Sequence, residues 1–268
     1  MIEIEDTHAD VLRKAMVGQM IPVELAATRA GVDSVRVRAL LEEQVDVEAL
    51  EKLAPALNLA PKALVSLAQQ SWYPEVPDLE GLVMVSTPFR GGTVNAFIIH
   101  DRDRNAVIFD TGTEPVALIE KVDELSLNVK AVVITHAHKD HVMGLPALEH
   151  AWSSPVYAVD TARVKGAHAL EYGQKIKIGS IRLSVLETVG HAADGASFVV
   201  EGLGKTVVVV GDALFAGSMG GGMVSFRKAY QTSRDQLMSL DPETIVCPGH
   251  GPLTSIGLEQ VHNAFFGE

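Results

Sequence analysis

The chain has 268 residues, 47% of them hydrophobic, and a formal charge of −12 at pH 7. It is long enough for one large domain with a smaller companion, and its acidity argues against broad binding to nucleic acid or anionic lipid. A single cysteine, Cys247, excludes an intramolecular disulfide and a cysteine-rich zinc site.

The N-terminus, "MIEIEDTHAD", lacks the basic start and apolar run of a signal peptide, and no later stretch approaches the ~18 apolar residues of a membrane span. A cytoplasmic location without membrane contact is the expectation. From 7 to 70 apolar residues recur at helical spacing, giving expected helices near 7–16, 22–30, 33–42, 47–57 and 61–70. Pro22 and Pro61 suit first turns, Asp33 suits an N-cap, and Gly31 separates two helices. Residues 73–81, with Pro74 and Pro77, read as a linker between a helical unit (1–72) and the remainder (82–268).

From 82 onward short β-branched runs take over: "LVMVS", "NAFIIH", "AVIFD", "AVVIT", "VYAV", "IRLSVLE", "ASFVVE" and "TVVVVGD". Helical patterns fall at 115–125, 231–239 and 256–265. Roughly ten strands with a few helices give an α+β class, two packed sheets with helices outside.

The run "AVVI" is followed at once by "THAHKDH" (135–141). Just past a strand end the chain can turn and aim His136, His138, Asp140 and His141 into one pocket. Buried without a cation, that cluster would strand several polar groups. Imidazole and carboxylate without thiolate suit zinc, iron or manganese. Two adjacent ligands, Asp140 and His141, are hard to aim at the same small ion as both earlier histidines, so two ions are expected. Later strand ends supply further ligands beside glycines: His191, Asp212 and His250. His8, His100, His150, His168 and His262 are read as structural or surface residues, and Cys247 as core. Arg90, in the glycine-rich turn "FRGG" (89–92), is a candidate to overhang the pocket, and Arg227, Lys228 and Tyr230 are candidates for holding an anionic substrate tail, each with a solvated surface role as the equal alternative.

"THAHKDH", "GH" (190–191), "GD" (211–212) and "PGHG" (248–251) together resemble the signature of the metallo-β-lactamase superfamily. "GDALFAGSMGG" (211–221) and the tail from Cys247 most resemble its glyoxalase II-like hydrolases, and "FDTG" (109–112) a loop those proteins place beside the site. The resemblance implies an αββα sandwich over about 82–268. It implies a first metal on His136, His138 and His191, a second on Asp140, His141 and His250, and Asp212 bridging both. Two divalent ions, zinc first with iron or manganese as alternatives, would activate a water for attack on an acyl carbonyl, with Asp140 as the catalytic residue that orients it and relays a proton. The implied substrate is a small acyl ester or thioester.

The chain departs from the pattern in three places. Met143 stands where glycine is usual, and "TVGHAADGAS" replaces the common "TPGHTPGS". Only eighteen residues follow His250, whereas the full-type glutathione-thioester hydrolases continue into a helical domain with basic residues. Two other activities share such a site: a single-iron enzyme oxidising a persulfide, and a phosphodiesterase.

Residues 22–64 resemble a Cro/C1-type helix-turn-helix, with Arg36 and Arg38 placed to reach DNA. Residues 1–72 hold seven basic and eleven acidic side chains, a net −4 that removes the usual basic footprint. The expectation is therefore a separately folding bundle that mediates homodimerisation, with DNA binding, as by a ligand-sensing regulator, the lesser alternative.

Overall fold

A computed structural model describes residues 2–160 and 163–267 of the chain. Five helices come first: α1 (His8–Gly18), α2 (Val23–Ala30), α3 (Ser34–Leu41), α4 (Val47–Ala56) and α5 (Pro61–Ala68). Local chemistry sets their ends. Thr7 and Asp10 form a reciprocal capping box on α1, and Asp33 and Asp46 accept from backbone N–H groups at the starts of α3 and α4. Gly31 closes α2 in the left-handed region at φ 62°, and α3 begins three residues later.

Two six-stranded sheets follow. The first runs in the order β1 (Leu82–Phe89), β2 (Gly92–His100), β3 (Asn105–Phe109), β4 (Asn128–Val133), β5 (Val156–Ala158), β6 (His168–Ala169). The second holds β7 (Lys175–Ile178), β8 (Ile181–Glu187), β9 (Ala196–Glu201), β10 (Val207–Gly211), β11 (Ile245–Pro248) and β12 (Thr254–Ser255) in reverse order across the sheet. Strand alternation divides the apolar residues between two layers. Phe97, Ile99, Phe109 and Val133 face Val185, Phe198, Val209 and Cys247 between the sheets. Ala96, Ile98, Ile108 and Val132 face outward onto α6 (Pro115–Glu124) and α8 (Leu145–Trp152), which bury Leu118, Val122 and Leu148 there. Val208, Val210 and Val246 cover the other outer face with Leu237 and Ile256, the latter opening α10 (Ile256–His262). Burial on both faces is why these strands read as unbroken apolar runs.

This is the αββα sandwich, preceded by a helical segment. Three details differ from the sequence expectation. A one-turn helix, α7 (Lys139–Val142), forms within the histidine cluster and α8 follows it, where no helix was expected. The helix expected at 231–239 begins earlier, as α9 (Phe226–Thr232), because Ser225 caps it, and it continues as a wide π-helical turn, Ser233–Leu237.

The third concerns the helical segment. Its core residues Leu12, Leu50, Leu53 and Leu64 belong to one cluster with Met219, Ala229, Ala264 and Phe265 of the sandwich. Ala60 N–H donates to Ala264 O at 2.8 Å across that seam. Residues 73–81 are irregular but anchored, with Trp72 stacked on His262 and Tyr73 Oη donating to Ile2 O. Among the described residues no helix is long and apolar enough to cross a membrane.

Candidate metal centre

β3 and β4 run parallel, as do β10 and β11, so their C-terminal ends share one edge of the sandwich. Every expected ligand is delivered at that edge. β4 ends at Val133 and the chain turns through Thr135–His138. The helix α7 then starts, and its first turn swings Asp140 and His141 in beside the two earlier histidines. A helical turn separates neighbouring side chains by ~100°, which lets these two adjacent residues serve the site together.

The ligand atoms fall into two groups, each with all atoms within 4.8 Å of one another: His136, His138, His191 and Asp212, then Asp140, His141 and His250. In the first, His138 Nδ1 lies 3.0 Å from His136 Nε2 and 3.1 Å from His191 Nε2. Asp212 Oδ2 lies 3.2 Å from His191 Nε2 and 3.5 Å from His250 Nε2, while its Oδ1 lies 3.3 Å from His141 Nε2. Asp212 thus faces both groups. Asp140 Oδ2 sits 3.3 Å from His250 Nε2 and 3.7 Å from His141 Nε2.

The donor set fits divalent ions. His141 Nε2 and Asp212 Oδ1 are buried with no hydrogen-bond partner, a costly state unless a cation satisfies them. Separations of 3.0–3.5 Å match the edge of a tetrahedron with ~2.0–2.1 Å metal–nitrogen bonds. The outward ring nitrogens are also held. His141 Nδ1 bonds Asp110 at 2.7 Å, His191 Nδ1 bonds Gly221 O at 2.9 Å, and His250 Nδ1 bonds Thr93 O at 2.7 Å. Such bonds fix the tautomer and orientation of a ligating imidazole.

In the metal-free protein the two groups differ electrically. Burial holds His136 well below the usual imidazole value and lowers His138. Burial also opposes charging of His141, but Asp110 and Asp212 outweigh it and push it up to about 10. His250 is pushed to about 11, against burial, by Asp140 and Asp212. Asp212 falls well below the carboxylate range because His141 and its neighbours overcome its burial.

Three positioning residues carry little sequence signal. Asp110, at φ +56°, accepts from Thr135 N and Oγ1 at 2.8 and 2.7 Å as well as from His141. Only the "FDTG" resemblance hinted at it. Asn95, fully buried, donates to Pro248 O and Gly251 O and so clamps the loop bearing His250. Asp194 accepts from Ala137 N at 2.9 Å, between two ligands. Gly249 is compulsory for packing: a Cβ there would lie 2.3 Å from Asp212 Oδ1 and 2.7 Å from His141 Cε1.

The remaining candidates stand apart. His8 is buried among the helices, His262 stacks on Trp72, and His150 and His168 are exposed. Arg227 and Lys228 are exposed on α9, and Tyr230 stacks on Phe266. Arg90 lies over the Phe89 ring, which is 6.2 Å from the His250 ring.

Fold and site define a metal-dependent hydrolase of the sandwich type, and the match over residues 89–250 shows that the chain belongs to the metallo-β-lactamase superfamily. The match begins after the five helices. Hydroxyacylglutathione hydrolase GloC of Haemophilus influenzae is 29% identical over 198 residues, spanning 64% of this chain and 92% of that protein. Among solved structures, ETHE1 from Myxococcus xanthus is 28% identical at a TM-score of 0.59, covering 68% of this chain and 83% of that one. TTHA1623 in a di-iron-bound form is 28% identical at 0.58, covering 68% and 99%.

Proposed function

We propose that the chain hydrolyses an ester or thioester of a small acyl group, with a thioester the preferred class. The observation that carries this reading is Asp212, poised between two complete ligand groups. His136, His138 and His191 would hold one ion, Asp140, His141 and His250 the other, and Asp212 would face both. When bound, a pair of divalent ions supplies an activated water at neutral pH and polarises the substrate carbonyl. The side chains do the rest. Asp140, 3.3 Å from His250 and buried, orients the attacking water and carries its proton to the leaving group. Thr135 and Asp110 keep the strand-end loop rigid while charge develops. The similarity to GloC supports a thioester over other acyl compounds, and zinc or iron both suit the nitrogen- and oxygen-rich donors.

Metal analysis of purified protein, followed by a screen of thioester, lactone and ester substrates, tests the reading. Two ions per chain and thioester turnover that falls at least ~100-fold in Asp140→Ala are expected. One iron per chain with oxygen uptake on a persulfide would replace hydrolysis by the single-iron reading. Near wild-type turnover in Asp140→Ala would remove Asp140 from the mechanism.

A further inference from the structure

The segment ahead of α1 runs along the metal centre. Asp6 accepts from Ser218 Oγ at 2.6 Å and pairs with Lys14, whose Nζ also donates to Met219 O at 2.9 Å. These bonds pin the segment to the loop that leads from Asp212 to α9. Glu5 then lies against the residue after His250: a Cβ on Gly251 would stand 3.2 Å from Glu5 N and 3.5 Å from Glu5 Cβ. Its Oε2 approaches the β1–β2 turn, 3.9 Å from where a Cβ on Gly92 would be. The Phe89 and Phe215 rings flank the same ligand, 6.2 and 5.8 Å from the His250 ring. Lys14 is already satisfied by Asp6, and among the described residues Glu5 forms no ion pair.

A carboxylate beside the loop that bears His250 repels an anionic substrate group and tolerates a neutral or cationic one. We propose that Glu5 is a specificity-determining residue, setting the charge of the group accepted over His250: neutral or cationic leaving groups are favoured, and those bearing a carboxylate are disfavoured. The proposal rests on the hydrolase reading and assigns the helical segment a share in the active site.

Full-length, metal-loaded protein is assayed on two acetyl thioesters, one of N-acetylcysteamine and one of 3-mercaptopropionate. Water adds across the C–S bond, releasing acetate and the free thiol in both cases. Glu5→Gln is expected to raise kcat/KM for the anionic thioester about five-fold while leaving the neutral one within about two-fold, and Glu5→Lys to raise it further. The gain shrinks at high salt. Binding of the two free thiols, measured by calorimetry, repeats the comparison without turnover. An unchanged ratio of thiol affinities between wild type and Glu5→Gln overturns the proposal, as does loss of discrimination in Arg90→Gln but not in Glu5→Gln. If neither thioester is hydrolysed yet Glu5→Gln shifts the thiol ratio, the hydrolase reading fails and the charge assignment stands.

Discussion

Asp110 Oδ2 takes the Nδ1–H of His141 at 2.7 Å, and this contact decides which ring nitrogen of His141 faces Asp140 and Asp212. The same carboxylate holds Thr135 through its backbone N–H and hydroxyl, so one residue at the end of β3 orients a ligand and the loop that carries two others. It does so from a left-handed backbone conformation, φ +56°, which asparagine also tolerates.

Asp110→Asn should therefore fold but weaken the second ion. Loss of such a supporting carboxylate typically costs ~10–100-fold in metal affinity. Metal analysis after brief exposure to a mild chelator should give close to one ion per chain, against two in the wild type. Retention of two ions under the same treatment would remove Asp110 from the ligand support.

The grouping of these side chains was legible because His136, His138, Asp140 and His141 crowd just past one apolar run, while His191, Asp212 and His250 each end another beside a glycine. The supports were not. Asn95 and Pro248 are brought together across the fold by the packing of one sheet on the other, and no local spacing announces it. Glu5 reads as one more acid of a polar N-terminus until Gly251 is seen against it. Helix α7 was hidden because the ligand cluster occupies its only turn, and α8 because Gly144 at its start offers no side-chain cap. The helical segment shows a different limit. Its 3.6-residue period correctly gave five helices, but periodicity does not say what an apolar face packs against.

That packing has a thermal consequence. The cluster joining Leu12 and Leu50 to Met219 and Phe265 links the helices to the sandwich through one core. Phe226 packs so closely on Gly18 that a Cβ there would lie 2.1 Å from its ring. Full-length protein should unfold in a single calorimetric transition rather than two. A chain beginning at residue 81 should expose Met219, Ala229, Ala264 and Phe265 and melt well below the intact protein. Two separated transitions in the intact chain would contradict the shared core.

The two arginines that a helix-turn-helix would turn toward DNA are already engaged. Arg36 bonds Asp46 at 2.7 Å and Glu48 at 3.0 Å, and Arg38 pairs with Glu24. Neutralised in place on a net acidic segment, they offer little phosphate attraction. Fluorescence anisotropy with a randomised duplex pool at 0.15 M salt should show no nanomolar complex and a shallow salt dependence. A tight complex lost in Arg36→Ala would restore DNA as a partner.

Glu259 gives a prediction independent of the metals. It is fully buried and accepts from Thr254 Oγ1, Gly217 N and Asn263 Nδ2, tying α10 to the loop between Asp212 and α9. Burial outweighs these donors and raises its carboxyl from 4.5 to about 7. Between those values the folded chain holds a proton that the unfolded chain has released, so this group's contribution is most favourable below pH 4.5 and is lost as pH rises through 7. The loss is on the order of 3 kcal/mol. Glu259→Gln keeps the shape, accepts from Gly217 and Asn263, and can donate to Thr254, but cannot ionise. Relative to wild type it should gain stability from pH 5 to pH 8, read by urea unfolding at the two pH values with saturating metal. A wild-type-minus-variant difference that stays constant with pH would mean that Glu259 is ionised throughout and that its three donors, not burial, set its charge.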